Sequence, residues 1–279
     1  MRGAALALLL AAGSVPAAAQ VERAPIPLDH LPALAGDYFH LPWPEQNRGF
    51  HIYVRLPADY GQHPNGRYPV IYLLDGDSLF PILGASHLFL TYDEGLPEAI
   101  VVGIAYGGFD PATNRRGLDF TSPAPGVAAA DAGAPAFHAF LKERILPEVE
   151  RRYRGDPARR ILVGQSRAGA FILHSAFADP DLFWGRIASN PSFSGDGQNW
   201  FGNPAVATRR DLHLIVTSGS RDRQPYRGDV LRWWESWRDR EDRPWTLRFQ
   251  TIENGTHAAN ITDAYRLGLL TMFQPERRP

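Results

Sequence analysis

Ile161-Leu162-Val163-Gly164-Gln165-Ser166-Arg167-Ala168-Gly169-Ala170 is the stretch that decides the fold: an apolar, β-type run breaks into a tight turn carrying one serine and continues as a helix. A sharp strand-to-helix turn of this kind, a nucleophile elbow, lifts the hydroxyl clear of the sheet and aims the next backbone N–H at a developing oxyanion. Strand and helix must then approach closely, which asks for small residues two positions either side of the serine; here they are Gly164 and Ala168. The usual pattern is G-x-S-x-G, so Ala168 departs from it by one methyl group, and Gly169 follows directly. Without chemistry, the same letters describe a glycine-containing turn whose serine caps a helix.

Working outward, Tyr68–Leu74 and Ala99–Ile104 are nearly continuous apolar runs, the pattern of central parallel strands covered on both faces. From Gly49 to Leu56, Phe50, Ile52, Val54 and Leu56 alternate with His51, Tyr53 and Arg55, as in a half-exposed strand. Downstream, Ile187–Ser192 reads as a short strand and loop, Leu212–Gly219 as a strand, and Thr246–Ile252 as an alternating outer strand. Helices fit between them: through Leu79–Leu90, through Phe137, Phe140, Leu141, Ile145 and Val149 despite Pro147, after the elbow, over Val230–Asp239 with Leu231, Trp234 and Trp237 on one face, and over Asn260–Phe273. Strands alternating with helices predict the α/β class, a mostly parallel central sheet with helices on both faces.

The chain has 279 residues, 44% hydrophobic and 21% charged, enough to bury one sizeable core. Residues 1–19 read as a signal peptide: Arg2, an apolar Ala4–Ala12, then Ala17-Ala18-Ala19 at the expected cleavage site. Residues 20–36 read as an N-terminal arm and residues 37–279 as a single catalytic domain, exported to the periplasm or secreted. The apolar run at the start is shorter than a spanning helix needs and no later run is long enough to cross a bilayer, so no stable membrane insertion is expected. A formal net charge of −1 argues against nucleic acid as a partner, since such binders cluster Lys and Arg against phosphates. With no cysteine, no H-E-x-x-H and no carboxylate-rich calcium loop, neither thiol chemistry, a metal nor any other cofactor is expected.

In such a sheet the reactive groups collect on loops at the carboxyl ends of the strands. Three of these loops carry Ser166, Asp222 and His257, in the chain order used by α/β-hydrolases. His257, in Asn254-Gly255-Thr256-His257 after the last strand, is the candidate base; the other histidines weighed against it lie in predicted strands, helices or a Pro/Gly turn. Asp222 is the candidate orienter of the imidazole, with Asp229 close by as its rival. The backbone N–H of Arg167 and that of Gly76 or Asp77 are the candidate oxyanion donors. Arg115, Arg116 and Arg167 suggest an anionic or catecholate substrate, and Tyr106, Phe193, Trp200 and Phe201 are candidate pocket-lining aromatics.

Taken together, Tyr68–Gly76, Val101-Val102-Gly103-Ile104, Arg116–Thr121, Gly164-Gln165-Ser166, Ser189-Asn190-Pro191-Ser192 and Gly255-Thr256-His257 resemble the putative-esterase (esterase D-like) family of α/β-hydrolases, over about residues 37–275. Arg116-Gly117-Leu118-Asp119-Phe120-Thr121-Ser122-Pro123 is similar to the R-x-x-D-[FY]-T-P stretch of the siderophore trilactone esterase branch, with one residue inserted before the proline. Ala132-Gly133-Ala134 stands where the family often has Gly-Gly-Ala. The resemblance implies a serine esterase acting on a small-molecule ester, with an acyltransferase of the same fold or a non-catalytic binding protein as the alternatives.

Overall fold

The computed structural model describes residues 26–28, 31–193 and 202–274. Its strands are β1 (Ile26–Leu28), β2 (Gly36–Trp43), β3 (Arg48–Arg55), β4 (Tyr68–Leu73), β5 (Ile100–Ala105), β6 (Gly155–Gln165), β7 (Gly185–Ser189), β8 (His213–Gly219) and β9 (Thr246–Ile252). They form one sheet in the order β1-β2-β3-β5-β4-β6-β7-β8-β9. From β5 to β9 every pairing is parallel, while β1, β2 and β3 add an antiparallel edge. This is the predicted α/β-hydrolase fold, with helices on both faces.

Side chains that alternate along each strand divide the core in two. Val70 and Tyr72 of β4, Leu74 just beyond its end, Leu162 on β6 and Val216 on β8 lie on one face. Against them pack α4 (Ala134–Phe140), α5 (Leu146–Arg152), α6 (Arg167–Ala178) and α7 (Gln224–Trp237). Ile71, Leu73, Ile161, Val163 and Ile215 point to the other, covered by α1 (Gly76–Leu79), α2 (Ala85–Glu94) and α8 (Ile261–Phe273). Proline inside the predicted long helix is accommodated by a π turn, Leu141–Ile145, placed just before Pro147 between α4 and α5, where the widened ladder takes up the missing N–H bond. On α7 the buried residues are Val230, Trp233 and Trp237. The bulky face thus lies one position from the predicted Leu231–Trp234 face, and Trp234 lies half-buried against Phe249.

The β2 strand has no counterpart in the sequence reading. Its Phe39, Leu41 and Trp43 enter the core at period two, with Phe140 stacked on Trp43 at 4.4 Å. Ile26–Leu28, within the stretch read as an arm, are the edge strand pairing with Gly36–Tyr38. Among the described residues no helix is long and apolar enough to cross a membrane.

Candidate active site

The elbow forms because β6 runs straight into α6 with Ser166 at φ 60°, ψ −120°, a backbone conformation that L residues avoid. Such strain persists where the surroundings over-determine it. Here the Ser166 N–H donates to Ser189 O at 2.9 Å, and Ser166 O accepts from the N–H groups of Ala170 at 3.0 Å and Ser192 at 2.9 Å. Close approach is achieved with the buried Ala168 lying over Gly164.

His257 sits on the loop after β9 and Asp222 on the loop after β8, and the Arg221 N–H donates to Gly255 O, at 2.9 Å, to zip those loops together. The Ser166 hydroxyl lies 2.8 Å from His257 Nε2, and His257 Nδ1 donates to the Asp222 carboxylate at 2.9 and 3.0 Å. A carboxylate can only accept, so it fixes the proton on Nδ1 and leaves Nε2 basic toward the hydroxyl. The Asp222 side chain is fully buried whereas His257 keeps 24% exposure. Asp222 also accepts from the Arg223 N–H at 2.7 Å. Asp229, the rival acid, instead pairs with Arg232 along α7.

Arg167 occupies the first turn of α6, and Gly76 with Asp77 opens α1; the first N–H groups of a helix have no intrahelical acceptor. Asp75 enters α1 at φ 54°, and a Cβ on Gly76 would stand 2.7 Å from the Ile104 nitrogen, so only glycine fits against β5 there. The Asp77 carboxylate accepts from the N–H groups of Tyr106 at 2.7 Å and Gly107 at 2.8 Å, tying this loop to the end of β5.

The arginines divide by partner. Arg116 makes a two-pronged ion pair with Asp75 at 2.8 and 2.9 Å. Arg167 donates to Gly117 O and Thr121 Oγ1, each at 3.1 Å, which holds α3 (Arg116–Asp119) against the start of α6. Arg115, just ahead of α3, is exposed.

Tyr106 is a correction to the pocket-lining reading. Its side chain is buried among Phe50 and Phe120, and its hydroxyl donates to Asp119 at 2.9 Å. Burial, reinforced by Asp119, pushes its phenol well above the ordinary tyrosine range. The sequence neighbourhood placed it after a strand, where a ring can face either way. Asp119 also accepts two bonds from Arg48, at 2.6 and 2.7 Å, yet burial pushes its carboxyl up against that pull. Phe193 is half-buried against the core, and Trp200 and Phe201 lie outside the described residues.

Two contacts escaped the sequence reading. Tyr226 on α7 lies over the His257 ring with centroids 4.6 Å apart, and Asn190 reaches the loops on either side of it. Nothing local in Gln224-Pro225-Tyr226 signals the first, whereas the Asn-Pro step of Ser189-Asn190-Pro191 marks a turn whose asparagine tolerates positive φ. Gly133 packs on Leu118, where a Cβ would meet its side chain and carbonyl oxygen at 2.8 Å; glycine is kept at that contact in Ala132-Gly133-Ala134.

A family model described as "Putative esterase" matches residues 44–263. Ferri-bacillibactin esterase BesA of Bacillus subtilis is 32% identical over 185 residues, a match covering 62% of this chain and 61% of that protein. The chain thus spans less than two thirds of that relative's length. A siderophore triacetylfusarinine C esterase of Aspergillus fumigatus is 28% identical over 221 residues, covering 76% of this chain and 70% of it. Among solved structures, siderophore hydrolase EstB from Aspergillus nidulans superposes with a TM-score of 0.72 at 22% identity, covering 87% of this chain and 96% of its own. The BES protein from Bacillus cereus superposes with a TM-score of 0.70, also at 22% identity, covering 84% and 93%. At that identity the likeness is one of fold.

Proposed function

The chain belongs to the putative esterase family of α/β-hydrolases, and on that premise we propose that it is an exported serine esterase working through an acyl-enzyme on Ser166. The observation that carries this reading is the unbroken run of hydrogen bonds from the Ser166 hydroxyl through His257 to a buried Asp222. His257 Nε2 takes the hydroxyl proton as the oxygen attacks the ester carbonyl. The buried carboxylate stabilises the imidazolium that forms. The N–H groups of Arg167 and of Gly76 or Asp77 receive the negative charge on the carbonyl oxygen, each such donor contributing on the order of 3 kcal/mol. Imidazolium then returns the proton to the departing alkoxide, leaving the acyl group on Ser166. Water, deprotonated by the same imidazole, then attacks that acyl group; as the bond to Ser166 breaks, the imidazolium returns the proton to the serine oxygen and the acid is released.

For substrate class we propose small-molecule esters of the siderophore or aromatic-acyl kind. Support comes from the relatives named as siderophore esterases and from Arg115, an exposed cation just ahead of α3 of the charge an anionic group would need. Export rests on the composition of residues 1–19. The test is hydrolysis of a short p-nitrophenyl ester followed by a panel of cyclic and linear tri-esters. An acyl-enzyme burst that disappears in Ser166→Ala is the expected result, and equal rates in the two proteins would sink the proposal.

A further inference from the structure

The end of β7 and the segment after it touch all three loops of the site. Ser189 O and the Ser192 N–H hold the Ser166 backbone from both sides, each at 2.9 Å. Between them, the Asn190 side chain is fully buried and reaches the other two loops. Its Oδ1 accepts from the Gly219 N–H at 2.7 Å, at the root of the Asp222 loop. Its Nδ2 donates to His257 O at 2.6 Å and Thr256 O at 3.1 Å on the histidine loop, and lies 2.7 Å from Asn260 Oδ1 at the start of α8. The Asn190 N–H donates to Thr217 O at 2.9 Å, fixing the residue to β8.

We infer that Asn190 is a positioning residue that sets the distance of the His257 ring from both Ser166 and Asp222. The inference rests on the serine-esterase reading. The position asks for two things at once. Its backbone stands at φ 41°, a left-handed conformation that asparagine adopts more readily than most residues. Its side chain must also present an acceptor to one loop and a two-hydrogen donor to the other, which an amide does and a carboxylate or hydroxyl does not. Gln165 Nε2 also donates to His257 O, at 2.6 Å, so loss of Asn190 loosens the ring's anchor without removing it. Misplacement of a catalytic group by about 1 Å costs on the order of 100-fold in rate, which sets the scale of the effect.

The test compares wild type, Asn190→Gly and Asn190→Asp on p-nitrophenyl acetate across pH, with melting followed by circular dichroism. Asn190→Gly keeps the backbone conformation and removes only the side chain. Its kcat is expected to fall about 10- to 100-fold with KM nearly unchanged and the fold retained. In Asn190→Asp the new carboxyl faces two carbonyl oxygens, so it donates only when protonated. Its activity relative to wild type is therefore expected to recover as pH falls from about 8 to about 6. A purely structural loss would leave that ratio flat. Wild-type kcat in Asn190→Gly, a flat ratio in Asn190→Asp, or unfolding of both variants overturns the inference. Activity retained in Ser166→Ala overturns the esterase reading itself; with Ser166→Ala inactive, the Asn190 variants alone decide.

Discussion

A Cβ placed on Gly164 would stand 3.0 Å from the Cβ of Ala168 and 2.8 Å from its carbonyl carbon and oxygen. The elbow therefore admits one methyl group across this contact and the chain spends it on the helix. Gly164→Ala is expected to destabilise the protein by about 1–3 kcal/mol through overpacking, and to lower kcat by splaying the turn. Ala168→Gly, which restores the usual elbow pattern, is expected to cost only about 1 kcal/mol of helix propensity with activity kept. Urea denaturation with parallel ester assays checks both.

The strained backbone of Ser166 gives a second expectation. At φ 60°, ψ −120°, glycine sits without penalty whereas alanine does not. Ser166→Gly should be more stable than Ser166→Ala by about 1–3 kcal/mol, although both are inactive. Equal melting temperatures for the two variants would show that the turn stores no strain.

The acid of the constellation is decided by a matched pair. Asp222→Asn keeps the shape but removes the charge under the imidazole and permits the wrong tautomer, so kcat should fall by about 10⁴-fold. Asp229→Asn breaks only its ion pair with Arg232 and should leave kcat at the wild-type level. Steady-state kinetics on one chromogenic ester settle the comparison, and the reverse ranking would move the assignment to Asp229.

Two buried histidines, His87 and His138, and the half-buried His174 are expected to make the fold acid-sensitive. Burial, with Arg55 nearby, lowers His87 to about 3. Burial, reinforced by neighbouring Arg186 for His138 and by His138 for His174, lowers both of those to about 4. Folded-state values lie below the ordinary histidine value, so the unfolded chain binds more protons. The stability these groups contribute is complete above about pH 6.5 and is lost as pH falls toward 4. With all three involved, the slope reaches about 4 kcal/mol per pH unit. Melting temperature should fall through this range, and His138→Phe should flatten the curve.

How much of this was readable from the letters depends on whether an interaction is local. Buried strands such as Tyr68–Leu73 announce themselves because both faces are covered and every position is apolar. The chain order of Ser166, Asp222 and His257 is legible as well, since each follows a strand recognisable by an apolar run or, for the edge strand before His257, by alternation. By contrast, Pro42 and Gly36 mask the alternation of Phe39, Leu41 and Trp43, so β2 carries no clear strand signal. Tyr106 turns inward instead of lining a pocket because Arg48 and Asp119, 71 residues apart in sequence, build a polar nest for its hydroxyl. Asn190 and Tyr226 act through contacts with His257 spanning 67 and 31 residues, which no local pattern encodes.

The ion pair between Arg116 and Asp75 limits how this scaffold can be engineered. The connection between β5 and α4 is where a designer would transplant a foreign loop to alter selectivity. Because Arg116 grips Asp75 at the mouth of α1, that connection is no freestanding cassette. A graft that omits the arginine would leave an unmatched anion beside the oxyanion donors proposed at Gly76 and Asp77, so successful chimaeras must exchange both residues together.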